Sequence, residues 1–68
     1  MIQNDVELQV TLERIDRFHK QVAHFRKVVE DPIGYRLMAG AWLAEIDQMN
    51  QEVREYLLKH PSEVKAAG

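Results

Sequence analysis

The 68-residue sequence predicts an all-α fold, namely an antiparallel two-helix hairpin of the coiled-coil type. Two apolar stripes with alternating steps of three and four residues occupy almost the whole chain, and this spacing is typical of helices that pack against each other. Only residues 30–32 separate the stripes, so the helices must fold back on each other. The first stripe is Leu8, Leu12, Ile15, Phe18, Val22, Phe25 and Val29, and the second is Tyr35, Ala39, Trp42, Ile46, Met49, Val53, Tyr56 and His60.

Helix 1 is expected to begin at about residue 5 and to continue to about residue 29. Asn4 and Glu7 have the spacing of a capping box, in which both side chains accept hydrogen bonds from backbone N–H groups at the helix start. Acidic residues there also suit the positive end of the helix dipole. No glycine or proline interrupts the segment that follows, so one continuous helix is predicted.

Helix 2 is expected over about residues 32–59, after a turn at about residues 30–31. Asp31 is a suitable N-cap, and Pro32 suits the first helical position, where its missing N–H is not needed. Pro61 disfavours helical geometry in the residue before it, so the predicted tail at 60–68 should fray. The whole chain is therefore interpreted as a single hairpin domain.

The composition excludes several classes of function. The sequence contains no cysteine, so neither a disulfide nor a thiolate metal site can form. The net charge of -2 gives no overall attraction to nucleic acid or to an anionic membrane. The most apolar stretch, residues 37–44, is far shorter than the roughly 18 residues that would cross a bilayer. The first residues lack the basic start and apolar core of a secretory signal, so a cytoplasmic location is expected.

A second apolar face on helix 2 predicts self-association. At 100° per residue, five residues gather opposite the main stripe of this helix: Ile33, Leu37, Gly40, Ala41 and Ala44. A chain of this size without disulfides has a small core, and it gains stability by burying such a face. We therefore expect a homodimer that forms a four-helix bundle, or a higher homo-oligomer. The alternative occupants of this face are a different protein or a further domain that this sequence lacks.

A basic stripe on helix 1 is the one feature that suggests contact with phosphate. Four residues spaced by three and four share one face of the predicted helix: Arg17, Lys20, His24 and Lys27. Glu13 and Asp16 precede them at ion-pairing distance, which is typical of a solvated surface. A small nucleic-acid-associated regulator is therefore the alternative function, and protein interaction is the main one.

The sequence shows no constellation of residues that specifies catalysis, a metal or a cofactor. His19 and His24 are five positions apart, which does not place them on one helical face as metal ligation requires, and His60 lies beyond the predicted helix end. The single threonine and the single serine lack a supporting base, and no glycine-rich loop could hold a phosphate. We expect a non-enzymatic protein without a cofactor.

Several residues over positions 1–58 resemble a known helical module. These are Ile2 and Asn4, then Thr11, Ile15 and Phe18 in helix 1, the central Pro32, and the segment Glu52, Val53, Arg54, Glu55 and Tyr56 near the end. The pattern resembles the helical hairpin found in front of helix-turn-helix regulators of the XRE and antitoxin type. The resemblance implies a bacterial, dimeric protein with an oligomerisation or toxin-contacting role. The helix-turn-helix that follows in that family has no counterpart in these 68 residues.

Overall fold

A computed structural model describes residues 1–62 and shows two antiparallel helices, α1 (Asp5–Val28) and α2 (Pro32–Leu57). The helices pack against each other along the hairpin and produce an elongated body of 51 × 16 × 13 Å. The predicted helical hairpin is therefore confirmed. Three residues, 29–31, connect the helices.

Side-chain caps begin both helices. The Asn4 Oδ1 atom accepts a hydrogen bond from the Glu7 N–H at 2.8 Å, and Glu7 Oε1 accepts one from the Gln3 N–H at 3.0 Å. The Asp31 carboxylate accepts from the N–H groups of Ile33 at 3.3 Å and Gly34 at 3.0 Å. A Cβ atom at Gly34 would lie 3.1 Å from Asp31 Oδ2, so the glycine leaves room for this cap.

Both helices end slightly before the predicted positions. Val29 is extended and donates its N–H to the Phe25 carbonyl oxygen at 2.9 Å, which ends α1 one residue early. In α2, the Leu58 N–H still bonds to the Arg54 carbonyl oxygen, but the helix ends at Leu57, two residues before the predicted end. Most of the predicted frayed tail, residues 63–68, lies outside the described residues.

The core lies between the two predicted stripes. Its main cluster consists of Ile2, Ile15, Ile46, Met49 and Val53, with Leu8, Phe18 and Tyr56 packed against it. Towards the turn, Val22, Phe25 and Ala39 are also buried. The Trp42 ring meets Phe18 and Phe25 edge-on, with ring centroids 4.7 and 5.7 Å apart. These aromatic residues therefore act as core residues of the hairpin, and they hold the helices together.

Two members of the predicted stripes are exposed. Leu12 is 43% exposed, because at 100° per residue it lies at the edge of the stripe on α1. His60 is exposed because α2 has already ended at that point. Ile2, which precedes α1 and belongs to neither stripe, is instead buried against the end of α2.

Candidate protein-interaction surface

The five residues predicted to form the second apolar face of α2 are all exposed on the hairpin. We call them the outer face: Ile33, Leu37, Gly40, Ala41 and Ala44. Ile33 is 69% and Leu37 is 72% exposed, although both are large apolar side chains. Isolated exposed leucines are common on protein surfaces, whereas a continuous apolar strip on one helix marks a contact surface.

The helical repeat places the outer face opposite α1. Its residues at 33, 37, 40 and 44 each precede a residue of the core stripe by two positions. Two positions correspond to about 200° around a helix, so the two stripes lie about 160° apart. The α2 helix therefore has α1 on one side and the outer face on the other.

Gly40 distinguishes the outer face from an ordinary solvent-exposed helix surface. A Cβ atom built at Gly40 would meet nothing within 4 Å among residues 1–62, so packing inside the hairpin does not require a glycine there. A glycine inside a helix is less favourable than alanine by about 1 kcal/mol. Close approach of another chain is a physical reason to keep this position without a side chain.

Polar residues limit the outer face along α2. The same helical side continues beyond Ala44 with Asp47 and Gln51, which are both exposed. At 1.5 Å per residue, the apolar part from residue 33 to residue 44 extends over about 17 Å. Nearby on α1, close to the turn, Val28 is also exposed. The outer face therefore lies at the turn end of the hairpin, while other large apolar side chains, such as Val6, Leu57 and Leu58, are exposed at the open end.

The four residues of the basic stripe share the side of α1 that faces away from α2. Arg17, Lys20, His24 and Lys27 are all exposed. Lys20 Nζ lies 2.9 Å from Asp16 Oδ2, so one of the predicted ion pairs forms. Glu13 is not paired with Arg17 within the described residues, and it instead accepts a hydrogen bond from Gln9 Nε2 at 3.5 Å. The stripe is a solvated cationic surface with part of its charge compensated locally.

The open end of the hairpin is closed by a polar contact that sequence patterns did not predict. The Tyr56 hydroxyl donates a hydrogen bond to Asp5 Oδ1 at 2.7 Å, which joins the end of α2 to the start of α1. The neighbouring Asp5 carboxylate raises the pKa of Tyr56 above its ordinary value, chiefly through this hydrogen bond. Next to it, the Met1 ammonium lies 3.3 Å from Glu52 Oε1. In the sequence, only the expected antiparallel pairing of the two helices indicated that the first turn of α1 and the last turn of α2 would lie close together.

The remaining polar residues form no concentrated chemical site in residues 1–62. The structure brings no three His, Asp or Glu side chains of this segment together as a metal ion would require. His60 Nδ1 lies 2.8 Å from Ser62 Oγ and accepts the Ser62 N–H at 3.1 Å, so both groups take part in a local turn.

A groove of about 280 Å³ runs along the open end of the hairpin between Val6, Val10, Arg14 and Glu52.

The fold and its surfaces define a small helical hairpin that exposes an apolar face on α2. No protein-family model matches the chain, and no curated protein or solved structure is significantly similar to it. The resemblance to the hairpin of antitoxin-type regulators therefore stays a prediction. Neither helix in the described part of the chain is long and apolar enough to cross a membrane.

Proposed function

We propose that the chain is a non-enzymatic oligomerisation and protein-interaction module that acts in the cytoplasm through the outer face of α2. The observation that carries this proposal is the exposure of Ile33 and Leu37 beside Gly40. A single neighbouring helix covers only one side of α2, while the apolar residues of its first half point to two sides. The outer face is therefore an apolar surface that the hairpin itself leaves exposed.

The first partner we propose for this face is a second copy of the chain. A hairpin this small has one thin core layer, and a core of this size supplies only about 3–5 kcal/mol of stability. Association adds burial that the single chain lacks, and it makes stability depend on protein concentration. Two hairpins joined in this way give a four-helix assembly, which then presents its remaining surface to another protein.

The biological setting follows from the resemblance noted at residues 1–58. Similar hairpins precede the helix-turn-helix of antitoxin-type regulators, so we propose a role in a bacterial regulatory or toxin–antitoxin system. In that setting the module would hold two regulators together or contact the toxin. The observed hairpin architecture is compatible with either task.

A double charge substitution tests the interface. Leu37→Asp with Ala41→Glu places carboxylates on the outer face, and we expect the dimer to dissociate because burial of unpaired charges is unfavourable. Asn50→Asp with Arg54→Gln is the matched control, since both residues are exposed on α2 away from the outer face and the net charge falls by the same two units. Sedimentation equilibrium measures the mass of each variant, and circular dichroism verifies its helicity. If the variant with Leu37→Asp and Ala41→Glu stayed as dimeric and as stable as the unchanged chain, this interface would be ruled out.

A second candidate function is nucleic-acid binding through the basic stripe. The observation that favours it is the common exposure of Arg17, Lys20, His24 and Lys27 on one side of α1. Contacts with phosphate release counterions, so such binding weakens steeply as salt concentration rises. Replacement of all four residues by Gln should abolish DNA or RNA binding measured by fluorescence anisotropy at low salt. If the unchanged chain shows no binding under these conditions, this function is excluded.

A further inference from the structure

We infer that the outer face binds a second copy of this chain in a staggered antiparallel register, with Leu37 against the partner's Gly40 and Ile33 against the partner's Ala44. The inference rests on the proposed function, namely that the outer face is an oligomer contact. It adds the register and the arrangement of the four helices, neither of which follows from the existence of an apolar face.

The order of large and small residues carries the argument. Along α2, the outer face has two large residues, Ile33 and Leu37, followed by two small ones, Gly40 and Ala44. In an antiparallel pair with twofold symmetry, residue i meets residue j of the partner, and j meets i. When Leu37 faces the partner's Gly40, Ile33 faces the partner's Ala44, so each large side chain enters a space left by a small one.

A parallel arrangement lacks this complementarity. It would place Leu37 against the partner's Leu37 and Gly40 against the partner's Gly40, which crowds one layer and leaves a void in the next. The space at Gly40 is open on the surface of the hairpin, because a Cβ atom placed there would meet no atom of the other described residues within 4 Å. The Leu37 side chain of an antiparallel partner has a suitable size to occupy it.

Polar residues further along α2 disfavour registers in which the two α2 helices overlap more. A shift by one heptad towards full overlap would set Leu37 against the partner's Asp47 and Ile33 against the partner's Gln51, and burial of such polar groups without partners is unfavourable. A shift of one heptad towards less overlap would place Gly40 and Ala44 beyond the N-terminal end of the partner's α2, where they have no partner residue in that helix. The staggered register is the one that pairs all four apolar layers.

This geometry places the four helices in a row. Because the outer face and the core stripe are about 160° apart on α2, the order across the dimer is α1, α2, the partner's α2 and the partner's α1. The result is a flat layer in place of the closed four-helix bundle that sequence patterns suggested. The two basic stripes then lie on opposite outer edges and face away from each other, so the dimer has no joint cationic surface.

The short overlap also predicts modest affinity. An apolar strip of about 17 Å buries less than the roughly 800 Å² per subunit of a standard interface. Measurements should therefore extend to hundreds of micromolar protein, roughly a hundredfold above a low-micromolar dissociation constant. Below the dissociation constant the chain is expected to be mainly monomeric.

A size-swap experiment tests the pairing of Leu37 with Gly40. Gly40→Leu should raise the melting temperature of the monomer, because leucine is the better helix former and a new Cβ meets nothing there, yet it should weaken the dimer at least tenfold. Leu37→Ala alone should also weaken the dimer. The double variant Leu37→Ala with Gly40→Leu exchanges the large and small positions, so it should regain most of the lost affinity in sedimentation equilibrium. Failure of the double variant to regain affinity would contradict the pairing.

A spin-label distance separates the registers. The chain has no cysteine, so Glu55→Cys creates a unique labelling site on exposed surface outside the overlap. In the staggered register the two labels are about 50 Å apart along the helix axis, compared with about 28 Å for full antiparallel overlap and much less for a parallel pair. A dimer with the shorter distances would overturn the staggered register and leave the proposed function standing. A chain that stays monomeric at hundreds of micromolar would overturn both.

Discussion

The two halves of α2 are built differently. In the second half, residues 45–57, apolar side chains point mainly towards α1, and the outward positions at Asp47 and Gln51 are polar. In the first half, residues 32–44, apolar side chains point both towards α1 and away from it. The apolar residues of the second half are thus covered by the hairpin except for Leu57 at its end, while the first half has an apolar face that the described residues leave exposed.

The comparison shows that one helix can have a structural and a binding role in consecutive segments. Ile46, Met49 and Val53 belong to the main core cluster, and Tyr56 closes the hairpin through Asp5. In the first half, Ala39 is the buried residue. Substitutions in the second half should therefore affect folding, and those on the outer face should affect association.

The largest effect is expected on the free energy of unfolding. Ile46→Ala should lower it much more than Leu37→Ala does. Ile46 is 2% exposed, and its truncation should lower the free energy of unfolding by about 2–5 kcal/mol, which is most of the stability of a hairpin this small. Leu37 is exposed in the monomer, so its truncation should change the monomer by less than about 0.5 kcal/mol. Urea unfolding at low micromolar concentration measures both. Equal losses for the two variants would show that the halves do not differ in this way.

A smaller effect is expected from the cap that begins the first half. Asp31→Ala removes the acceptor for the N–H groups of Ile33 and Gly34 and should cost about 1 kcal/mol. Asp31→Asn is the control, because it keeps an oxygen acceptor and should lose only a few tenths of a kcal/mol. Hydrogen exchange should become faster first at the amides of residues 33–40. Equally fast exchange over residues 46–53 would mean that the two halves unfold as one unit.

The smallest effect is expected for Tyr56→Phe at the end of the second half. The substitution removes the hydrogen bond to Asp5 and should lower stability slightly at neutral pH. Because folding raises the pKa of Tyr56, the folded state holds the phenolic proton more tightly, and this stabilisation is present below about pH 10 and lost as pH rises through the raised pKa. The stability difference between the two proteins should therefore shrink at alkaline pH. A difference that grew with pH would contradict this assignment.

The sequence predicted the hairpin well because its signals are local. The caps at Asn4 and Asp31 and the proline at 32 define helix starts through bonds within one turn, and both starts agree with the structure. The stripe positions follow from the helical repeat, and all of them except Leu12 and His60 are buried or half-buried. Leu12 deviates because a seven-residue repeat drifts around a helix of 3.6 residues per turn.

Contacts between distant parts of the chain were not predictable in the same way. Burial of Ile2 depends on how the chain before α1 folds over α2, and no periodic pattern includes that residue. The bond between Tyr56 and Asp5 depends on the lateral alignment of the two helices. The exposure of the outer face follows from the sequence pattern, but its occupant depends on the surface of a second molecule.

The three-residue connection between the helices has a consequence for the order of folding. Contacts next to it, such as those of Phe25 with Trp42, close short loops, whereas Asp5 and Tyr56 are 51 positions apart. Loop-closure entropy favours the short loops, so we expect the helices to zip together from the turn towards the open end in microseconds to milliseconds. The outer face lies on the part that forms first. Encounter between two chains can therefore begin while their open ends are still unpaired.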